Sequence, residues 1–428
     1  MKNNVAMLIL PLIGLLTLVT QAQERKVNYD ESKIPPYMLP SLLTTSDGER
    51  ISDAASWKSK GRPETLEKFR KYVYGKAAMP RPELRFQVLE REDQALEGQA
   101  RRRQVTLYFS KDDQGPQISL LIYLPPRTEK PCPLFLGLNF QGNHTVHSDP
   151  KITVTDSWVR NNEAVGAMDH KASEKGRGQV ASRWPVEAIT AAGYGLATAY
   201  YGDIDPDFDD GFENGVHSLT QGKKPNAEEW GSIATWAWGL SYIMDYLQQD
   251  PEVDPQRIIL LGHSRLGKTS LWAGAEDERF SIVISNNSGC GGAALHRREF
   301  GETVKIINHA FPHWFCDNFV EYSERVNDCP VDQHQLIGLI APRPVYVASA
   351  QEDQWADPKG EFLSCVDASP LYELLGTDGL AQKEMPGIEM PIHSTIGYHI
   401  RSGKHDVTLY DWEQWIQFAN KHLGQPSR

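Results

Sequence analysis

Six residues, Gly262-His263-Ser264-Arg265-Leu266-Gly267, follow directly on the run Arg257-Ile258-Ile259-Leu260-Leu261 and precede the helix-forming stretch Lys268 to Ala275. A strand that turns through Gly-x-Ser into a helix lifts the serine Oγ out of the sheet and aims backbone N–H groups at it. The chemistry this serves is acyl transfer through a serine. The usual spacing is Gly-x-Ser-x-Gly, whereas here the second glycine stands one place later, at 267. A serine hydroxyl is a poor nucleophile until a histidine takes its proton, and that histidine needs a carboxylate to fix its tautomer. With this kind of turn the chain order is serine, acid, histidine. Asp353, in Gln351-Glu352-Asp353-Gln354-Trp355, and His405, in Ser402-Gly403-Lys404-His405-Asp406, supply the two in that order. Glu352 and Asp357 are rivals for the acid, and His393 and His399 for the base. His399 lies within a strand pattern and reads as structural.

These side chains must come from the ends of strands. Period-2 alternation predicts strands at 104–110 and 118–124, paired antiparallel, and a near-continuous apolar run predicts a central parallel strand at 134–140. Further strands are predicted at 194–201, 258–261, 282–285, 344–349 and 395–400, with helices at 63–72, 184–192, 230–249 and 411–423. Asp353 then falls four residues past a strand, and His405 in a glycine-containing loop between the last strand and the closing helix. Strands alternating with helices after an initial hairpin predict an α/β fold: the three-layer sandwich of the α/β-hydrolases, mostly parallel with antiparallel N-terminal edge strands. Residues 23–100 are polar and proline-punctuated, and read as an arm and helix wrapping one domain of residues 23–428. Residues 141–178 lack periodicity, and a loop that long points to binding. The acidic stretch Asp203 to Asn214 lacks the calcium-loop spacing and reads as a solvated loop.

Composition narrows the classes. Hydrophobic residues make up 40% of the 428 and charged residues 23%, which suits a globular enzyme with a large core. A net charge of −12 excludes nucleic acid as a natural partner, because phosphate binding needs a basic face. The run Arg101-Arg102-Arg103 is too short to reverse this and reads as a solvated turn. Lys2, the apolar stretch Val5 to Val19 and Ala22 form a secretory leader over residues 1–22, predicting a periplasmic or secreted protein with no membrane span after cleavage. Five cysteines permit at most two disulfides and match no zinc spacing, so neither a metal nor a cofactor is expected.

Several long motifs resemble the glucuronoyl esterases of carbohydrate esterase family 15, bacterial type. They are Gly262-His263-Ser264-Arg265-Leu266-Gly267-Lys268, Asn139 to Thr145, Arg183 to Glu187, Tyr200 to Pro206 and Trp355 to Phe362. The likeness runs from about residue 30 to the C-terminus and accounts for the displaced glycine. It implies Ser264 as nucleophile, His405 as base and Arg265 at the oxyanion, where negative charge develops. It also implies Lys268, Glu302 and Trp355 as sugar contacts; Lys268, one helical turn beyond the serine, shares its face. Some members carry the acid after the strand that follows the elbow. Here that position is Asn287, an amide, so the role falls to Asp353. The expectation is a monomeric, exported serine esterase acting on glucuronoxylan or other uronate esters, the alternative being an acetylxylan or other carbohydrate O-acetyl esterase with the same triad.

Overall fold

The computed structural model describes residues 27–111, 113–126, 130–220, 223 and 225–426; the predicted leader lies outside the described residues. Its centre is a ten-stranded sheet in the order β1-β2-β3-β5-β4-β6-β7-β8-β10-β9. The strands are β1 (Arg85–Ala95), β2 (Ala100–Tyr108), β3 (Gln117–Leu124), β4 (Cys132–Asn139), β5 (Gly195–Tyr200), β6 (Val253–His263), β7 (Ile282–Asn286), β8 (Val345–Ala350), β9 (Ile392–His393) and β10 (Ile396–Arg401). From β5 through β4, β6, β7 and β8 to β10 every pairing is parallel. The pairings of β1 with β2, β2 with β3 and β3 with β5 are antiparallel, as is the short β9 edge.

Alternation along the central strands divides the core between two faces. Leu134, Leu136, Ile258 and Leu260 point to one face, where they meet the helices Ser232–Leu247 and Arg265–Glu276 through Trp236, Leu240, Leu271 and Trp272. Phe135, Ile259, Leu261 and Ile284 point to the other, beneath the helices Val186–Ala191 and Leu409–Leu423 with Ile189, Trp412 and Trp415. This is the three-layer α/β sandwich that the strand and helix pattern predicts. Each such buried side chain contributes about 1.5–3 kcal/mol, so the C-terminal ends of the parallel strands rest on the most tightly held part of the molecule. Among the described residues no helix is long and apolar enough to cross a membrane.

Three readings of the sequence need correcting. The N-terminal arm gives way at Arg85 to β1, a full sheet strand paired with β2. The arginine triplet is no solvated turn: it opens β2, with all three side chains buried. Alternation sends Arg101 and Arg103 to Glu252 and Asp250, and Arg102 to Asp149 and Glu90, so each buried charge is neutralised. The acidic loop is in part internal, since Asp203, Asp205 and Asp207 are all buried. Of the two disulfides at most that five cysteines permit, none forms. All five cysteines are buried free thiols that fill the core as small apolar side chains.

Candidate active site

The turn after β6 puts Ser264 at φ 58° and ψ −129°, a strained conformation held by a bond from its N–H to the Asn286 carbonyl (2.9 Å). Gly262 is required because a Cβ there would lie 1.9 Å from the Leu266 carbonyl oxygen. The displaced Gly267 has its own reason. A Cβ there would come within 3.0 Å of Ser288 Cβ, where the helix passes the turn that leaves β7.

The parallel neighbours β8 and β10 deliver the other two groups side by side. Asp353 follows β8 and His405 follows β10, and Gln351 and Glu352 donate their N–H groups to the Arg401 and Gly403 carbonyls across the gap (2.9 and 3.0 Å). The His405 loop is pinned at the Asp406 carbonyl, which accepts from Arg401 Nη2 (2.6 Å) and Asn286 Nδ2 (2.9 Å). His405 Nδ1 lies 2.6 Å from Asp353 Oδ2, and Asn287 Nδ2 donates to that same oxygen (2.9 Å). Burial raises the Asp353 carboxyl, but His405 and Asn287 pull it below the usual carboxylate value, so it is ionised at neutral pH. The amide at 287 therefore lends the acid a donor in place of the second negative charge a carboxylate would bring.

The rivals are committed elsewhere. Asp357 caps the helix Pro358–Leu374 and takes Arg298 Nε (2.8 Å), while Glu352 is exposed. His399 is fully buried between Tyr346 Oη (3.0 Å) and Asp411 Oδ1 (2.9 Å), as its strand position predicts. His393 sits on the far edge strand β9.

One cavity of about 320 Å³ is lined by all seven residues singled out in the sequence: Ser264, Arg265, Lys268, Glu302, Asp353, Trp355 and His405. Lys268 is buried, with its Nζ bonded to the Ser288 carbonyl (2.5 Å) and 3.6 Å from Glu302 Oε2. Burial pushes the Glu302 carboxyl above its ordinary value despite that lysine. Trp355, 41% exposed, lines the same cavity.

Sequence reasoning missed what holds Arg265. Its guanidinium meets Asp207, a fully buried carboxylate that also accepts from Trp314 Nε1 (2.7 Å), His313 Nε2 (2.9 Å) and the Tyr201 hydroxyl (3.0 Å). Burial raises the Asp207 carboxyl, but His313, Arg265 and Trp314 together hold it far below the usual carboxylate range. The guanidinium also lies over the Trp314 ring (4.8 Å), and its Nε is buried with no acceptor among the described residues. The signal was present in Tyr200-Tyr201-Gly202-Asp203-Ile204-Asp205-Pro206-Asp207, which composition alone made look like a solvated loop. Phe311 and Trp314, stacked at 3.7 Å, complete the wall beside Arg265.

The comparison with known proteins fits this geometry. A model of the fungal glucuronyl esterases matches residues 224–376. Carbohydrate esterase MZ0003, from an unknown prokaryotic organism, is 50% identical over 405 residues, 94% of this chain and 93% of that protein. The solved glucuronoyl esterase of Solibacter usitatus superposes with a TM-score of 0.87 at 48% identity, covering 92% of this chain and all of that one. The chain belongs to the glucuronoyl esterase family. Like its relatives in that family it is a carboxylic-ester hydrolase of α/β-hydrolase fold. Fungal glucuronoyl esterases match over a shorter stretch. The 4-O-methyl-glucuronoyl methylesterase of Phanerochaete carnosa is 33% identical over 154 residues, 34% of this chain and 38% of that one. The span of the fungal family model holds Ser264, Lys268, Glu302 and Asp353 but stops short of His405.

Proposed function

We propose that this glucuronoyl esterase is an exported serine esterase that cleaves esters of 4-O-methyl-glucuronate on xylan, such as those joining xylan to lignin alcohols. The observation that carries the reading is a single cavity shared by Ser264, His405, Asp353 and the buried Lys268–Glu302 pair. An acetyl group has nothing for such a pair to hold. A uronate ring offers hydroxyls to both, which favours the glucuronate ester over the acetyl ester.

In this scheme Ser264 Oγ attacks the C6 carbonyl as His405 takes its proton, and Asp353 stabilises the imidazolium from 2.6 Å. The tetrahedral oxyanion faces Arg265, held ready by Asp207. Collapse expels the alcohol with the proton from His405. Water, deprotonated by His405, then attacks the acyl-Ser264 carbonyl and frees the serine and glucuronate. Trp355 stacks on the sugar at the cavity mouth. The scheme uses no metal or cofactor. Residues 1–22 direct the chain to the periplasm or beyond, where residues 23–428 work as one domain and a monomer.

The test is hydrolysis of benzyl glucuronate against 4-nitrophenyl acetate and acetylated xylan, with Ser264→Ala as the blank. A strong preference for the glucuronate ester is the expected result. Activity confined to the acetates would keep the triad and overturn the substrate.

A further inference from the structure

Glu361 lies in the first turn of the helix Pro358–Leu374, fully buried and outside the lining of the cavity. Its Oε1 accepts the backbone N–H groups of Ser288 (2.8 Å) and Gly289 (3.0 Å), and its Oε2 accepts the Ser349 hydroxyl (2.6 Å). Two consecutive N–H groups converge on one oxygen because the chain leaving β7 is bent there. Asn287 stands at φ 49° and Gly289 at φ 58°. A left-handed Asn287 is strained and persists only where its surroundings fix it. The carboxyl of Glu361 is what both N–H groups are bound to.

That turn is where three parts of the site meet. The Asn286 carbonyl receives the Ser264 N–H (2.9 Å), the Asn287 amide holds Asp353 (2.9 Å), and the Ser288 carbonyl holds Lys268 Nζ (2.5 Å). The loop bearing Asp353 and Trp355 leans on the same turn, with Ala356 against Gly289. Ser349, the third donor's residue, is the last but one of β8, four positions before Asp353.

We infer that Glu361 is a positioning residue that clamps the β7 turn, so that Asn287 holds the acid of the triad and Ser288 holds the sugar-binding lysine in one fixed relation. The inference rests on the glucuronate-ester reading for its lysine arm and on the triad alone for its acid arm. Burial pushes the Glu361 carboxyl up to about 8.

The two arms separate by substrate. A misplacement of about 1 Å costs on the order of 10²-fold in rate. Glu361→Ala is therefore expected to lower kcat on 4-nitrophenyl acetate about 100-fold with KM unchanged. On benzyl glucuronate the same fall in kcat comes with a KM raised about tenfold as Lys268 loosens. Glu361→Gln, which keeps an oxygen for both N–H groups and an amide for Ser349, restores every constant to within about threefold. Asn287→Ala breaks the acid arm alone, lowering kcat about tenfold on both substrates and sparing KM. A folded Glu361→Ala enzyme with wild-type kcat, or a Gln variant as impaired as Ala, overturns the inference. If Glu361→Ala does not fold, Asn287→Ala decides, since unchanged acetate turnover there means that no path runs from the turn to Asp353. Wild-type enzyme inactive on benzyl glucuronate would remove the substrate reading, and the acetate constants alone would then decide the role of Glu361.

Discussion

Asp353→Asn changes a charge and almost nothing else. The Oδ2 position accepts from both His405 Nδ1 and Asn287 Nδ2, so an asparagine that places its oxygen there keeps both bonds. What disappears is the anion beside a histidine that must become a cation in the transition state. Two unit charges about 4 Å apart interact by about 4 kcal/mol at an effective dielectric near 20. That figure suits this pair, because the Asp353 side chain is 5% exposed and His405 41%. At 1.36 kcal/mol per decade the loss corresponds to about a 10³-fold fall in kcat. The assay is initial rate on benzyl glucuronate and on 4-nitrophenyl acetate at pH 7.5, with the melting temperature as a check on folding. Both substrates should slow alike, since the charge serves the reaction and not the sugar. Asp353→Asn enzyme that retains more than a tenth of wild-type kcat would refute the reasoning, and the imidazolium would have to find its counter-charge elsewhere.

Other perturbations test other parts of the site. Asp207→Ala strands the Arg265 guanidinium against apolar rings, and the variant should lose about 3–5 kcal/mol in urea unfolding, as buried pairs do when one partner is removed. Lys268→Met should raise KM for benzyl glucuronate about tenfold or more, the effect of losing a hydrogen bond to a charged group, and leave 4-nitrophenyl acetate nearly unchanged. Gly262→Ala drives a methyl into the Leu266 carbonyl, so the purified variant should lack measurable esterase activity even where circular dichroism shows folded protein. The Glu361 carboxyl rises from an ordinary 4.5 to about 8 on folding, so the native state binds the extra proton between those values. Its contribution to stability is complete below about 4.5 and is lost as pH rises through 8. Glu361→Gln should flatten the fall in melting temperature between about pH 4.5 and 8, and an unchanged slope would assign that fall to other groups.

Parts of this layout were legible because local chemistry forces them. A glycine hard against a serine after an apolar strand has few uses, and the strand runs at 134–140 and 282–285 could only be central, being apolar at nearly every position. Other parts were hidden for physical reasons. Three adjacent arginines look solvated until Glu252, Asp250 and Asp149, distant in sequence, are seen to neutralise them. The helix Pro358–Leu374 carries Pro370 within it and little amphipathic pattern, because so many of its residues are buried; Glu361 stood within a family motif, but its partners at 288 and 289 lie more than 70 positions away. Asp207 sat among other acids, two of them also buried, and only its pairing with Arg265 and His313 distinguishes it.

The sequence by itself determined the reaction type, ester hydrolysis, and the order along the chain of the three residues proposed as the triad. A nucleophile elbow is a local structure, dictated by glycine and by the residues on either side of it. Only the tertiary structure decided which carboxylate lies beside His405, what holds Arg265, and that the amide at 287 donates to Asp353. Those are pairings between residues 50 to 70 apart, such as Asn287 with Asp353 (66 positions) and Arg265 with Asp207 (58 positions). Their strength comes from burial and from geometry within a few ångströms, quantities that exist only once β7, β8 and β10 lie side by side.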